Sequence, residues 1–422
     1  LYELSVLPSG LRVISHHMPA SRSVTICIYI GVGSRYEKDC EAGASHFIEH
    51  MVFRGSAKYP NSQLISSAIE GVGGILNAAT DRESTLYYAK VGSDKFALAL
   101  DVLSDMLVTP VFDPEDLEKE RKVVYEEISM SMDNPSHRVG LLIDEILWPN
   151  HPLGRDIAGS RQSVAGLDRQ RLLSFMHCHY NPANVVVAVA GDIKHSPAVS
   201  AISQAFSGLG GQNIVQTFEP YHSGNPCPVG VDKRDAEQIN LMLAMPGMNR
   251  LDNRRYAFSI LNTILGDGMS SRLFAHVRDN LGLAYSVQSG TEFLHDTGAF
   301  SIFAAVDPAN LTACIEAILS EMEAAKTTIT AEELTKAKEM SKGRIQLAME
   351  DSRYMAKWIG SQELLCRRVN THEDVIRLID GVTLTSVMEL AGEYFRKPEM
   401  RLALVGQIDK EKGETLVSPF SV

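Results

Sequence analysis

The sequence predicts an α+β protein of two similar domains. Three observations carry that expectation: a length of 422 residues, a helix signature that recurs about half a chain apart, and short apolar strand runs interleaved with amphipathic helices. Beyond roughly 250–300 residues a single hydrophobic core stops growing, so two domains of about 200 residues follow from length alone. In the first half Leu103-Ser104-Asp105-Met106 leads to Asp113-Pro114-Glu115, an N-cap carboxylate with proline at the first helical position. In the second half Leu319-Ser320-Glu321-Met322 leads to Thr330-Ala331-Glu332-Glu333, a capping box. Residues 113–122 align with 330–339, an offset of 217 (330 minus 113), which points to a duplicated domain.

The elements follow from periodicity. Apolar runs at 11–14, 24–30, 185–190 and 299–305 read as strands, and helical periodicity covers 94–107, 114–132, 309–325 and 331–349. Consecutive β runs favour mainly antiparallel sheets layered with helices over regular βαβ alternation. The stretch 207–228 is rich in Gly, Ser, Asn and Pro and lacks helical periodicity. The expected division is an N-terminal domain over 1–212, a linker over 213–225 and a C-terminal domain over 226–422.

Composition excludes several function classes. A hydrophobic fraction of 45% with 22% charged residues is that of an ordinary globular protein. The net charge of -12 argues against a nucleic-acid partner and is compatible with basic peptide segments as ligands. Cys27, Cys40, Cys178, Cys227, Cys314 and Cys366 are scattered without a C-x-x-C pair and read as free buried thiols of a reducing compartment. No run of about 18 apolar residues predicts a membrane span. The opening Leu1-Tyr2-Glu3-Leu4 lacks the apolar stretch of a signal peptide. The expected location is the cytoplasm of a bacterium. Because the chain starts without Met, a removed leader and an organelle matrix stay open as alternatives.

One segment carries chemistry. His46-Phe47-Ile48-Glu49-His50 lies between glycines that bound a short helix. On a helix His46 and His50, four apart, project from one face, the spacing two imidazoles need to hold one Zn²⁺. Glu49, one turn from His46, can face a metal-bound water without being a ligand and take its proton as general base. This is H-E-x-x-H in mirrored order, the inverzincin signature. Catalytic zinc takes a third protein ligand, so a carboxylate on a facing helix is expected. The helix from Pro114 carries an apolar stripe through Leu117, Val124 and Ile128. At about 100° per residue, Glu120 and Glu127 share one line roughly 60–80° from the stripe's centre, whereas Glu126 lies on the far side. Glu127 is therefore the expected third ligand and Glu120 a carboxylate that orients a ligand histidine. At the repeat offset these positions hold Arg344 and Ala337, and residues 226–422 contain no second H-x-x-E-H, so only the first half can bind this metal. His177-Cys178-His179 and His16-His17 read as surface polar residues.

Together with Gly73-Gly74-Ile75-Leu76-Asn77-Ala78-Ala79-Thr80, Thr85-Leu86-Tyr87-Tyr88, Tyr180-Asn181-Pro182-Ala183-Asn184, Gly191-Asp192, Gly268-Met269-Ser270-Ser271-Arg272-Leu273-Phe274 and Gly282-Leu283-Ala284-Tyr285, these motifs carry a resemblance that covers nearly the whole chain. In them the sequence resembles the pitrilysin/insulinase-type zinc metallopeptidases, specifically the short two-domain branch that includes mitochondrial processing peptidase and its bacterial relatives. The resemblance implies one Zn²⁺ per chain on His46, His50 and Glu127, with Glu49 as base and Glu120 in support. It implies that Arg278 and Tyr285, from the metal-free half, hold substrate, Tyr285 also polarising the scissile carbonyl. It implies an exposed edge strand on which Asn77 and Ala78 bind peptide, and a chamber enclosed by two domains. The expected activity is endopeptidase cleavage of unfolded or extended oligopeptides by a homodimer, or by a heterodimer with a related subunit. The alternatives are a non-catalytic assembly subunit and a catalytic subunit that needs a non-identical partner. Asp267 stands where relatives often have glycine.

Overall fold

Residues 2–210, 217–222 and 228–417 are described by the computed structural model. Of the linker expected at 213–225, positions 213–216 and 223–225 lie outside the described residues, and 217–222 form no regular element. The chain divides into two compact units. Unit 1 comprises Leu1–Ser129, Arg155–Glu219 and Gln346–Thr371, and unit 2 comprises Met130–Gly154, Pro220–Ile345 and His372–Val422.

Unit 1 holds strands β1 (Tyr2–Val6), β2 (Arg12–His17), β3 (Ser23–Ile30), β4 (Ile75–Thr80), β5 (Thr85–Gly92) and β6 (Val185–Gly191), in the order β1-β2-β6-β3-β5-β4. Only β2 and β6 run parallel; the other neighbours are antiparallel. Unit 2 holds β7 (Val229–Lys233), β8 (Ile239–Pro246), β9 (Ala284–Phe293), β10 (Gly298–Val306) and β11 (Arg401–Gly406), in the order β7-β11-β8-β10-β9. Again one pair, β7 with β11, is parallel and the rest are antiparallel. The second sheet thus repeats β2-β6-β3-β5-β4 strand for strand. This is the α+β class with mainly antiparallel sheets that the sequence predicts.

The central strands are apolar on both faces because both faces are covered. Successive side chains point to opposite sides of a sheet. On β3 the period of two sends Val24, Ile26, Ile28 and Ile30 to one core and Cys27 and Tyr29 to another. On β6 Val185, Val187 and Val189 join the first core, and Val186, Ala188 and Ala190 the second. The first core is filled by helices including Ala44–Val52, Ser62–Glu70 and Phe96–Val108. The second is closed by the helix Ser352–Cys366, through Met355, Ala356 and Ile359. That helix lies so close that a β-carbon on Gly360 would sit 2.7 Å from the Ala188 methyl and the Tyr29 ring. Polar contacts pin its ends: Ser352 Oγ bonds the Ser23 and Thr25 hydroxyls, and Arg12 donates to Glu363 at 2.9 Å in a buried ion pair.

In unit 2 the matching face is covered by the helix Pro135–Leu147, whose Val139, Leu142, Ile143 and Leu147 pack with Ala244, Ala299, Ala403 and Val405. The helices starting at Pro135 and Ser352 stand at the repeat offset of 217. Each sequence half therefore lends the same element to the other half's sheet.

The cysteines depart from the sequence reading in part. Burial pushes Cys27 and Cys314 up to about 12, but Cys40 and Cys178 are exposed; Cys227 lies outside the described residues. No helix among the described residues is long and apolar enough to cross a membrane.

Ile359→Ala deletes buried methyl groups from the second core. It is expected to cost about 2–5 kcal/mol in denaturant unfolding of the whole chain, although Ile359 is remote in sequence from the strands it covers. Loss below about 1 kcal/mol would show that the helix does not hold the sheet.

Candidate metal centre

The helix Ala44–Val52 presents its apolar residues Phe47, Ile48, Met51 and Val52 to the core, which leaves His46, Glu49 and His50 on the remaining face. Its start is fixed by Gly43, at φ 93, in a left-handed conformation that glycine adopts without strain. A β-carbon there would also meet the Ala158 carbonyl oxygen at 2.6 Å. The N-terminal amides of the helix are met from a distance in sequence. The buried Glu37 carboxylate accepts from Gly43 N–H at 2.8 Å and Ser45 N–H at 2.7 Å, replacing partners that the first turn of a helix lacks.

The helix Pro114–Asp133 brings the carboxylates. Its Arg121 guanidinium lies over the Phe47 ring, 5.4 Å from the centroid, and donates to the Val164 and Leu167 carbonyls, so the two helices share one buried cation as a spacer. From there Glu120 points inward and is buried, Glu127 is half-exposed on the same line, and Glu126 faces solvent.

His46 Nε2 and His50 Nε2 lie 3.5 and 3.4 Å from the same Glu127 oxygen, Oε2, and one ligand atom from each of the three residues falls within 4.8 Å of the others. Those separations are long for hydrogen bonds. They match the edges of a tetrahedron with metal–ligand bonds of about 2.1 Å, which are roughly 3.4 Å. Burial, followed by the neighbouring His50 charge, pushes His46 down to about 4, so its imidazole is neutral as a metal ligand must be. His46 Nδ1 is buried without a partner among the described residues, a poor arrangement for a core histidine whose ring serves only hydrogen bonding. His50 Nδ1 pairs with Glu120 Oε2 at 2.9 Å, which turns Nε2 toward the cluster. Arg54 also pairs with Glu120. The donor set, neutral nitrogen plus carboxylate oxygen with one supported imidazole, fits a zinc ion.

Glu49 is held beside this cluster, its Oε2 accepting from Thr80 Oγ1 at 2.5 Å. Burial raises its pKa, and the Thr80 hydrogen bond and the His50 charge oppose the rise. Thr80 ends β4, an edge strand of unit 1, whose residues alternate exposed and half-buried; Asn77 faces out and Ala78 inward, with Ala78 N–H donating to Asn77 Oδ1 at 2.8 Å. Arg278 and Tyr285 belong to unit 2. Arg278 sits on a π-helical turn, Phe274–Asn280, its guanidinium 4.4 Å from the Phe274 ring centroid. Tyr285, near the start of edge strand β9, is 77% exposed and so is no core aromatic.

Three residues around the site were not singled out as site residues by the sequence: Glu37, Arg54 and Thr80. Each reaches it through contacts set by packing, and only Arg54, four residues past His50, had a spacing that could have drawn notice. His179, expected at the surface, is instead buried against Phe175, with ring centroids 4.3 Å apart, and burial pushes it down to about 4. The helix Arg169–His179 turns that residue toward the core while His177 and Cys178 stay exposed.

Two repeated α+β units, one of which carries two imidazoles and a carboxylate converging at metal-ligand distances, define a class that sequence comparison makes specific. Residues 12–161 match the insulinase (peptidase family M16) domain and residues 166–341 the peptidase M16 inactive domain. The chain is 38% identical to an uncharacterized zinc protease of Mycobacterium leprae, over 93% of this chain and 89% of that protein. It is 35% identical to an uncharacterized zinc protease of Bacillus subtilis, over 94% and 96%. The fold matches the crystal structure of a protease from Helicobacter pylori with a TM-score of 0.88, covering 96% of this chain and 99% of that one at 21% identity. The chain belongs to the M16 family of insulinase-type peptidases.

Glu37 offers a pH test of how the histidine helix is seated. Burial is the main cause that lifts its pKa from 4.5 to about 7. Between those values the folded chain holds a proton that the unfolded chain has released. The group's stabilising contribution is therefore full below pH 4.5 and is lost as pH rises through about 7. In urea denaturation of the metal-free protein, the stability of wild type minus that of Glu37→Gln should fall by on the order of 3 kcal/mol across this window. A difference that stays level would show that Glu37 titrates normally.

Proposed function

We propose that the chain is a zinc-dependent endopeptidase that hydrolyses unfolded or extended oligopeptides. The observation that carries this reading is the convergence of His46 Nε2, His50 Nε2 and a Glu127 oxygen beside a half-buried Glu49. His46, His50 and Glu127 would hold the ion, and Glu120 fixes the His50 ring. When bound, zinc supplies Lewis-acid polarisation of the peptide carbonyl and lowers the pKa of water. Glu49 takes the proton from the attacking water and passes it to the leaving amide nitrogen, work suited to a carboxylate whose pKa is raised by burial.

The peptide lies along the exposed edge of β4 as an added strand, with Asn77 and Ala78 as central contacts. A folded domain has no free strand to offer, which restricts substrates to extended chains. Arg278 binds the peptide, and the exposed Tyr285 hydroxyl donates to the oxyanion that forms as water adds. Both residues are in the same polypeptide as the metal ligands, so the reading needs no non-identical subunit.

Purified chain should contain one zinc per polypeptide and cleave an unstructured peptide internally, with activity lost to a chelator and restored by zinc. Glu49→Gln should lower kcat by about 10²–10⁴-fold while zinc content stays at one. Unchanged turnover in that variant would sink the mechanism, and absence of stoichiometric zinc would favour an assembly role. Tyr285→Phe removes only the proposed oxyanion donor and should lower kcat by about 10²-fold or more with zinc retained; wild-type kcat would remove Tyr285 from the mechanism.

A further inference from the structure

We propose that Thr80 is a positioning residue that couples the substrate-pairing strand to the general base; this rests on the zinc-peptidase reading above. Thr80 Oγ1 donates to Glu49 Oε2 at 2.5 Å, and among the described residues Thr80 is the one residue that hydrogen-bonds this carboxylate. A long carboxylate side chain without such a bond keeps several rotamers, and only some of them face the ligand cluster. The Thr80 backbone N–H also bonds this carboxylate, so the hydroxyl is a second tether from the same residue.

The place of Thr80 in β4 gives the bond its consequence. Thr80 is three residues from Asn77 on the strand proposed to pair with peptide, and it closes the C-terminal end of that strand. It stands opposite Thr85, a fully buried residue whose hydroxyl donates to the Val32 carbonyl at 2.8 Å. The next residue, Asp81, donates its backbone N–H to the Ser84 carbonyl at 2.8 Å, and a β-carbon on Gly33 would meet the Asp81 carbonyl oxygen at 1.9 Å. The opposite end begins at Gly73-Gly74 and is held too: Gly74 N–H donates to the Ile69 carbonyl at 2.9 Å, and a β-carbon on Gly74 would meet Val91 and Ile69 at 2.7 and 2.8 Å. A β-branched side chain on an anchored strand has few rotamers of its own, so Thr80 is a stiff reference for Glu49. Peptide register along β4 and the aim of the base are then set by one rigid segment. Thr80 acts in the chemical step and contributes nothing to peptide affinity.

The test compares Thr80→Val, which keeps shape and deletes the hydroxyl, with Thr80→Ser, which keeps the hydroxyl. Expected for Thr80→Val are a kcat lowered ten- to a hundredfold, a KM within twofold of wild type and one zinc per chain; Thr80→Ser should recover kcat to within threefold. A Thr80→Val kcat within threefold of wild type, a change confined to KM, or loss of zinc would each overturn the proposal. Should Thr80→Val not fold, Thr80→Ala takes its place under the same criteria. A second readout uses melting temperatures of the metal-free full-length protein. The shifts caused by Thr80→Val and Glu49→Gln should be non-additive in the double variant, and strict additivity would overturn the coupling. Full activity of Thr80→Val with an inactive Glu49→Gln refutes this proposal alone, whereas an active Glu49→Gln refutes the base assignment and this proposal with it.

Discussion

Two imidazoles and two carboxylates can share one corner of a protein only if the helices that carry them are held at one separation. In this chain that constraint is met by Arg121, set between the Phe47 ring and the carbonyls of Val164 and Leu167. The cation replaces an apolar contact at the point where the histidine and glutamate helices meet. A guanidinium suits that place because its planar fork can stack on a ring and donate to carbonyls at once. With the spacing fixed there, Glu120 reaches His50 and Glu127 reaches both imidazoles without distorting either helix. The stability cost of desolvating His46 is accepted because a ligand imidazole must be unprotonated.

The same reasoning extends outward. The histidine helix is seated by Glu37 at its first amides, and Glu49 by the end of β4, so both ends of the motif are tied to the edge and loops of one sheet. That sheet is rigid because it is covered twice, once by helices from its own half and once by Ser352–Cys366. The reciprocal loan of equivalent helices means that neither half of the sequence contains all of its own core. Duplication followed by exchange explains why a metal site confined to residues 46–127 depends on packing contributed after residue 350.

Unit 2 repeats the sheet, and among its described residues no such cluster of metal ligands recurs. Where the first half has Glu127, the repeat places Arg344, and its guanidinium pairs with Asp267 at 2.6 Å. An ion pair in this position satisfies both charges without a metal, and Asp267, which the sequence marked as a departure from the family's glycine, supplies the partner.

Much of this was legible in the sequence. Helical spacing set His46, Glu49 and His50 on one face, and the angular relation to Leu117, Val124 and Ile128 separated Glu127 from Glu126. The offset of 217 residues foretold the duplication. These readings succeed because periodicity is a property of the local backbone, 3.6 residues per helical turn and two per strand, and needs no knowledge of neighbours. The tertiary structure alone decided which helix covers which sheet, that His179 turns inward, and that Glu37, Arg54 and Thr80 touch the site. Those contacts join residues up to several hundred positions apart, and they depend on how whole layers pack, on which no local pattern bears.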